Sequence, residues 1–217
     1  MLGGWTILHS HGDAGVFHAA TPVAARSVTF HTVDRPTLVL GSAQQPTDVD
    51  RVVAVALGVE VVRRRSGGGA VLLVPGEFVW ADVVIASDDA LWDVDVARAM
   101  RWLGRTWTAA LADVGVPGVV HDGPLESTPW SRQVCWAGVG TGEVLQSRSK
   151  LVGISQRRTR ELARFQTMCH LRWRPELVAA LVAAPRPTAA ELAAAAACVP
   201  AAAADVQSAL VAHLPTS

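Results

Sequence analysis

The chain has 217 residues, and its 19 Lys plus Arg balance 19 Asp plus Glu, so its formal charge is zero. Half of it is hydrophobic and 18% is charged, which excludes a disordered chain, and neutrality excludes a general nucleic-acid binder. The length suits one domain with a full core, or one domain with a short extension. In chain order, residues 37–41 (TLVLG) read as a strand. Residues 48–57 read as a helix capped by Thr47 or Asp48, and residues 59–62 as a second strand. The apolar runs 70–74 and 78–85 flank Pro75-Gly76-Glu77 and predict a hairpin. Residues 93–114 carry Val96, Met100, Leu103, Trp107 and Leu111 at helical spacing, with Gly115 and Pro117 to end the helix. The tryptophans on this stretch are expected in the core. Residues 118–129 read as a loop, and 134–137, 143–145 and 150–154 as strands. Helices are expected over 174–184 and 188–214, broken near Pro200. This mixture predicts an α+β class, with helices packed on mixed, largely antiparallel sheets.

Cys135, Cys169 and Cys198 are too few for a disulfide framework and fit a reduced, cytoplasmic protein. The N-terminus has no basic lead and no long apolar run, so no signal peptide is expected. The Ala-rich stretch 189–204 is interrupted by Glu191 and Pro200 and reads as a helix pair, not a membrane span. Neither a nucleic acid nor a membrane is expected as a partner.

The charge is unevenly spread. Residues 77–95 hold six acids and no base, whereas residues 132–174 hold nine bases and two acids. The second segment favours an anionic ligand or an acidic partner, with a solvated Arg-rich face as the plain structural alternative. Eighteen of the nineteen basic residues are Arg, and the single Lys stands at position 150. Lysine suits a site that needs a compact point charge on a phosphate or carbonyl oxygen.

The most specific local feature is Arg63-Arg64-Arg65-Ser66-Gly67-Gly68-Gly69-Ala70-Val71. Three successive glycines carry a high entropic cost and make sense where the backbone approaches a ligand. Their N–H groups can form an anion-binding concavity, and neighbouring arginines add charge-assisted bonds. It is neither a Walker loop nor a dinucleotide fingerprint, because a strand follows the glycines. The second feature is Ser149-Lys150-Leu151-Val152-Gly153-Ile154-Ser155-Gln156-Arg157-Arg158.

Together these two runs resemble the double signature of the lipoate–protein ligase group, within the biotin/lipoate protein ligase catalytic-domain superfamily. Leu38-Val39-Leu40-Gly41-Ser42-Ala43-Gln44 is similar to that group's strand ending in Gly-x-x-Gln. The resemblance spans roughly residues 5–185. It implies a class II synthetase-like catalytic domain over 1–185 and an Ala-rich helical extension over 186–217. That extension is too short for a full accessory domain, which leaves an accessory subunit as a candidate partner.

The resemblance also implies an activity. Lipoate or octanoate would attack the α-phosphate of ATP, and the acyl-adenylate would then acylate a lysine of a lipoyl or acyl-carrier domain. Arg64 would hold phosphate, and Ser66, Gly67, Gly68, Gly69, Ala70, Val71 and Leu72 would bind substrate and nucleotide. Lys150 would contact the acyl carbonyl and the phosphate. Mg2+ is expected with ATP, and Asp122 is the candidate ligand. The sequence departs from the pattern after Val71, where Leu72-Leu73-Val74-Pro75-Gly76-Glu77 replaces an aromatic-His-Asp-x-Gly-Asn run. His121-Asp122 stands for an Asn-Asp pair, and Gln166-Thr167-Met168-Cys169-His170 for a His-Gly pair.

These departures keep other readings open. Related octanoyltransferases and amidotransferases use no ATP and carry the acyl group on a Cys in a Cys-Phe segment. Cys135-Trp136, fifteen residues before Lys150, is similar to that segment. Cys135 is then a candidate nucleophile, or else a buried core thiol. Cys169-His170 is a second pair, although neighbours in a strand face opposite ways. A binder of lipoate or carrier domains without chemistry is the remaining reading.

Overall fold

The computed structural model describes residues 4–216; residues 1–3, part of the segment judged for a signal peptide, and residue 217 lie outside the described residues. Two crossovers set up the architecture. Strand β1 (Thr6–Gly12), helix α1 (Ala14–Ala19) and strand β2 (Ser27–Val33) form the first, and β1 and β2 pair in parallel. Strand β3 (Thr37–Leu40), helix α2 (Arg51–Ala56) and strand β4 (Glu60–Arg63) form the second, again with a parallel pair. Parallel neighbours require such a crossover. Asp13 and Asp50 cap the two helices through side-chain acceptors. The α2 cap is therefore Asp50, because Thr47 and Asp48 form a separate 3₁₀ turn ahead of the helix.

Strand β5 (Val71–Leu73) pairs antiparallel with β3 and completes a three-stranded sheet, β4-β3-β5. Strand β6 (Phe78–Ala86) belongs to a different sheet, so the expected hairpin is not formed. The turn at Pro75-Gly76 instead hands the chain from one sheet to the other. The physical reason is burial: β3 is buried throughout and β6 nearly so, and each needs a strand on both edges.

Helix α3 (Val96–Asp113) follows, capped by Asp95, then β7 (Val119–Val120), β8 (Val144–Gln146), β9 (Ser149–Arg158) and β10 (Leu162–His170). The large sheet runs β1-β2-β6-β10-β9-β8-β7, antiparallel beyond its first pair. Helices α4 (Pro175–Leu181), α5 (Ala189–Leu192) and α6 (Ala203–Ala212) end the chain. Among the described residues no helix is long and apolar enough to cross a membrane. The run 134–137 is not a strand; Cys135–Ala137 form a 3₁₀ turn. The cause lies in its partners. Ala70 N–H bonds to Gln133 O at 2.8 Å and Cys135 N–H to Ala70 O at 3.0 Å, so this segment docks on the Gly-rich loop.

The strands of the large sheet alternate their side chains between two faces. Val83, Ile85, Ala163 and Phe165 pack against Leu103 and Trp107 of α3. Residues 186–217 contribute Val199, Val206 and Leu210 to this same core. Each fully buried large side chain contributes about 1.5–3 kcal/mol. The opposite face meets the small sheet, where Leu38, Leu40, Leu72 and Leu181 form a second core.

Candidate functional site

The glycine-rich loop after β4 is held by Arg64, which is buried. Its guanidinium donates to the carbonyl oxygens of Gly67 and Gly69, both at 2.8 Å, and of Val39 at 3.3 Å. These acceptors fix the loop but carry no full charge, so they do not neutralise the guanidinium. Two glycines are required by close approach. A Cβ on Gly41 would lie 1.8 Å from Gly68 O, and one on Gly69 would lie 2.7 Å from backbone atoms of Val134 and Cys135. Gln44 adds a further tie: its Oε1 accepts from Gly41 N–H at 2.9 Å, and its Nε2 donates to Gln133 O at 3.2 Å. The three sequence motifs thus converge on one segment, residues 133–135.

Beneath this junction lies a cleft of about 490 Å³, counted to its open mouth. Val39, Val71, Leu73, Trp80 and Met168 give it an apolar floor. Arg64, Cys135 and Trp136 form one wall, and His18, Ser155 and Gln166 another. An apolar slot with a few convergent polar groups is the usual form of a small-molecule site.

The polar wall is one connected chain. Ser66 Oγ lies 3.0 Å from Ser155 Oγ and donates to Gln166 Oε1 at 3.1 Å. Gln166 Nε2 then donates to His18 Nδ1 at 3.0 Å, which leaves the His18 proton on Nε2. Burial pushes His18 down to about 3, so it is neutral, and its ring stacks on Trp80 at 4.7 Å. Behind it, burial opposes ionisation of Asp82, but the bonds and charges of His31 and Arg164 outweigh it and keep the carboxyl below its ordinary range. A second cavity, about 910 Å³ to its open mouth, shares His18 and Gln166 with the cleft and is lined by Arg164 as well. Arg65 and Arg157 add cationic groups to its walls.

Lys150 is 2% exposed, and its surroundings differ from those of an open cation. Its Nζ lies 2.8 Å from Glu143 Oε2 and donates to Cys135 O at 2.9 Å. The ammonium sits 5.6 Å over the Trp136 ring, which itself lines the cleft. Cys135 lines the cleft directly, its sulfur against Gly68.

Other expected residues lie elsewhere. Leu72 faces the second core, and Ala70 is buried in its bridge to Val134. Cys169 and His170 face opposite sides of β10. Burial pushes the Cys169 thiol up to about 12 within the α3-side core. His170 lies between Trp136 and Trp173, and burial lowers it to about 3. Asp122 is exposed and salt-bridged to Arg101 of α3 at 3.1 Å. Among the described residues no group of three His, Cys, Asp or Glu side chains is placed to hold a metal ion. The Asp122 carboxylate is thus already paired with a guanidinium, and it is not among the residues that line the cleft.

Sequence reasoning did not single out His18, Trp80, Glu143 or Met168. Glu143 left a trace, as one of two acids in the basic segment. The others are ordinary residue types whose position only folding reveals.

Comparison with known proteins agrees with the geometry. No protein of curated function matches the sequence significantly. The fold is similar to that of a lipoate-protein ligase A solved with ATP, at 17% identity and a TM-score of 0.75, covering 98% of this chain and 84% of that one. It is similar to a structure from an archaeal lipoylation system, described as a bipartite lipoate protein ligase and its E2 lipoyl domain from Thermoplasma acidophilum, at 16% identity and a TM-score of 0.74, covering 95% and 80%. It also resembles protein Ta0514 of T. acidophilum, solved with lipoic acid, at 18% identity and a TM-score of 0.71, covering 98% and 84%. The lipoyl protein ligase A/B catalytic domain family matches residues 16–210, nearly the whole chain, and the protein belongs to that family.

Proposed function

We propose that this protein transfers a lipoyl or octanoyl chain to a lysine of an acyl-carrier domain, holding the chain in the apolar cleft as a thioester on Cys135. The observation that carries this reading is the pairing around Lys150. Its ammonium is bonded to Glu143 and to the Cys135 carbonyl, while Cys135 itself lines the apolar cleft. A lysine already paired with a carboxylate has little net charge to offer a phosphate. A protein of this fold solved with lipoic acid supports the acyl chain, and a bipartite ligase of this fold described together with its E2 lipoyl domain supports the acceptor.

The chemistry balances without a redox partner. The Cys135 sulfur attacks the carbonyl of an acyl thioester donor, a new C–S bond forms and the donor's C–S bond breaks. The donor thiol leaves with the proton that Cys135 gave up. The carrier lysine amine then attacks the Cys135 thioester, forming the amide C–N bond and breaking the C–S bond. The proton lost by the amine returns to the Cys135 sulfur. Arg64 and the loop amides of residues 67–69 suit the negative charge that develops on the acyl oxygen in both steps. The test is a mass shift on the Cys135 peptide after incubation with an octanoyl-thioester carrier. Cys135→Ala should lose both the adduct and carrier acylation; a fully active variant would sink the reading.

A second reading is favoured by the arginine-lined cavity beside the cleft. Arg65, Arg157 and the uncancelled charge of Arg64 suit a nucleotide's phosphates, and a relative was solved with ATP. The lipoate carboxylate would attack the α-phosphorus of ATP, forming the acyl-adenylate as the bond to the β-phosphate breaks and pyrophosphate leaves. Pyrophosphate release from lipoate and ATP that survives Cys135→Ala but is lost in Arg64→Leu would select this route. Saturable lipoate binding with turnover in neither assay would mark a binder.

A further inference from the structure

Glu143 is buried at 5% exposure within a segment that is otherwise basic. A buried carboxylate costs several kcal/mol of lost hydration unless protein bonds replace the water. Here both oxygens are occupied. Oε2 accepts from Gly140 N–H at 2.7 Å and pairs with Lys150 Nζ at 2.8 Å, and Oε1 accepts from Ile154 N–H at 3.1 Å. Glu143 therefore braces the loop before β8 against the middle of β9, and Lys150 extends that brace to the Cys135 carbonyl.

Gly153 lies against this chain of contacts. A Cβ there would lie 3.6 Å from a Glu143 oxygen, 3.7 Å from the Lys150 stem and 3.7 Å from the Trp136 ring. The arrangement sits directly behind the wall that carries the thiol. It also explains a residue that the reaction itself does not use.

We propose that Glu143 is a positioning residue: it fixes Lys150 on the carbonyl of Cys135 and cancels the ammonium's charge beside the thiol, leaving Arg64 as the cation that meets an anionic ligand. This deepens the thioester reading and rests on it for the role of Cys135. The charged groups around Cys135 are Lys150, bonded to its carbonyl, Glu143, paired with Lys150, and Arg64, which like the Cys135 sulfur lies against Gly68. His18 of α1 faces Cys135 across the cleft, and His170 of β10 lies behind Trp136.

The first readout needs no acyl donor, so it is independent of turnover. Alkylation of Cys135 by iodoacetamide at pH 7 is followed peptide by peptide in the wild type, Glu143→Gln, Lys150→Met and the double variant. Glu143→Gln leaves an uncompensated ammonium beside the thiol, and alkylation should quicken roughly tenfold. Lys150→Met and the double variant should show no such gain. Equal quickening in Glu143→Gln and in the double variant would mean simple loosening and overturn the proposal, as would no quickening in a folded Glu143→Gln. Should that variant fail to fold, Glu143→Asp serves. It should lower kcat for acyl transfer with KM for the donor unchanged, and an unchanged kcat would overturn the proposal. A shifted alkylation rate with no thioester ever formed would instead keep the pairing and remove the thioester reading.

Discussion

On the α3 face of the large sheet, β6 and β10 present Val83, Ile85, Ala163 and Phe165, whereas on the cleft face the same strands present Trp80, Asp82, Arg164 and Gln166. The first set is held by close packing, which is non-directional and tolerates any apolar filler of the right volume. The second is held by directional bonds, each of which leaves a stranded polar atom when broken. One face stabilises the fold and the other fixes a geometry. Alternation along a strand lets nine residues serve both purposes.

The sharpest way to break this contrast is Arg164→Met. It leaves Asp82 without its guanidinium and strips donors from Phe17 O and Ala20 O. Removing one partner of a buried pair costs about 3–5 kcal/mol, read as a lower urea midpoint. The cleft should also lose order, seen as faster Cys135 alkylation. Leu103→Ala on the other face should cost about 2–5 kcal/mol through its cavity, with Cys135 alkylation unchanged while the protein stays folded. If both variants disturb Cys135 equally, the two faces are not separable.

Titration sharpens the contrast further. His18 is pushed to about 3 in the fold, below the ordinary 6.5. As pH falls from about 6.5 to about 3, the unfolded chain takes up a proton that the folded one refuses, so stability falls. His170 acts in the same direction. Cys169, on the α3 face, is pushed from 9.0 up to about 12. Its contribution is whole below pH 9 and is lost as pH rises toward 12. The cleft face should therefore weaken in acid and the α3 face in alkali. His18→Gln should flatten only the acid arm of urea midpoint against pH, and Cys169→Ala only the alkaline arm.

The smallest expected effect is at Asp122. Asp122→Asn removes an exposed salt bridge and should change stability by no more than about 0.5 kcal/mol, with acyl transfer unchanged. A large loss of activity would make Asp122 part of the site after all.

Much of the fold was legible locally. Helix α3 declared itself through apolar spacing and its terminal Gly115, and β3, β4 and β8 through short apolar runs. Of the strands that escaped notice, β1, β2 and β10 carry polar or charged side chains among their apolar ones, and β7 is a two-residue strand inside the expected loop 118–129 that pairs only with β8. Arg164 and Gln166 look like surface residues until Asp82 and His18 come to meet them. Periodicity also misread residues 134–137, because a hydrogen bond to Ala70 decided their shape and that partner lies more than sixty residues away.

The amino-acid sequence by itself determined the family signature, the rigid glycine-rich loop and a solitary lysine, because each depends on residue type and local spacing. Only the tertiary structure decided what those residues face. It buried Lys150 against Glu143, placed Cys135 in the wall of an apolar cleft and set His18 neutral beside Gln166. Those outcomes depend on desolvation and on partners far apart in the chain, and neither is a property of the sequence read locally.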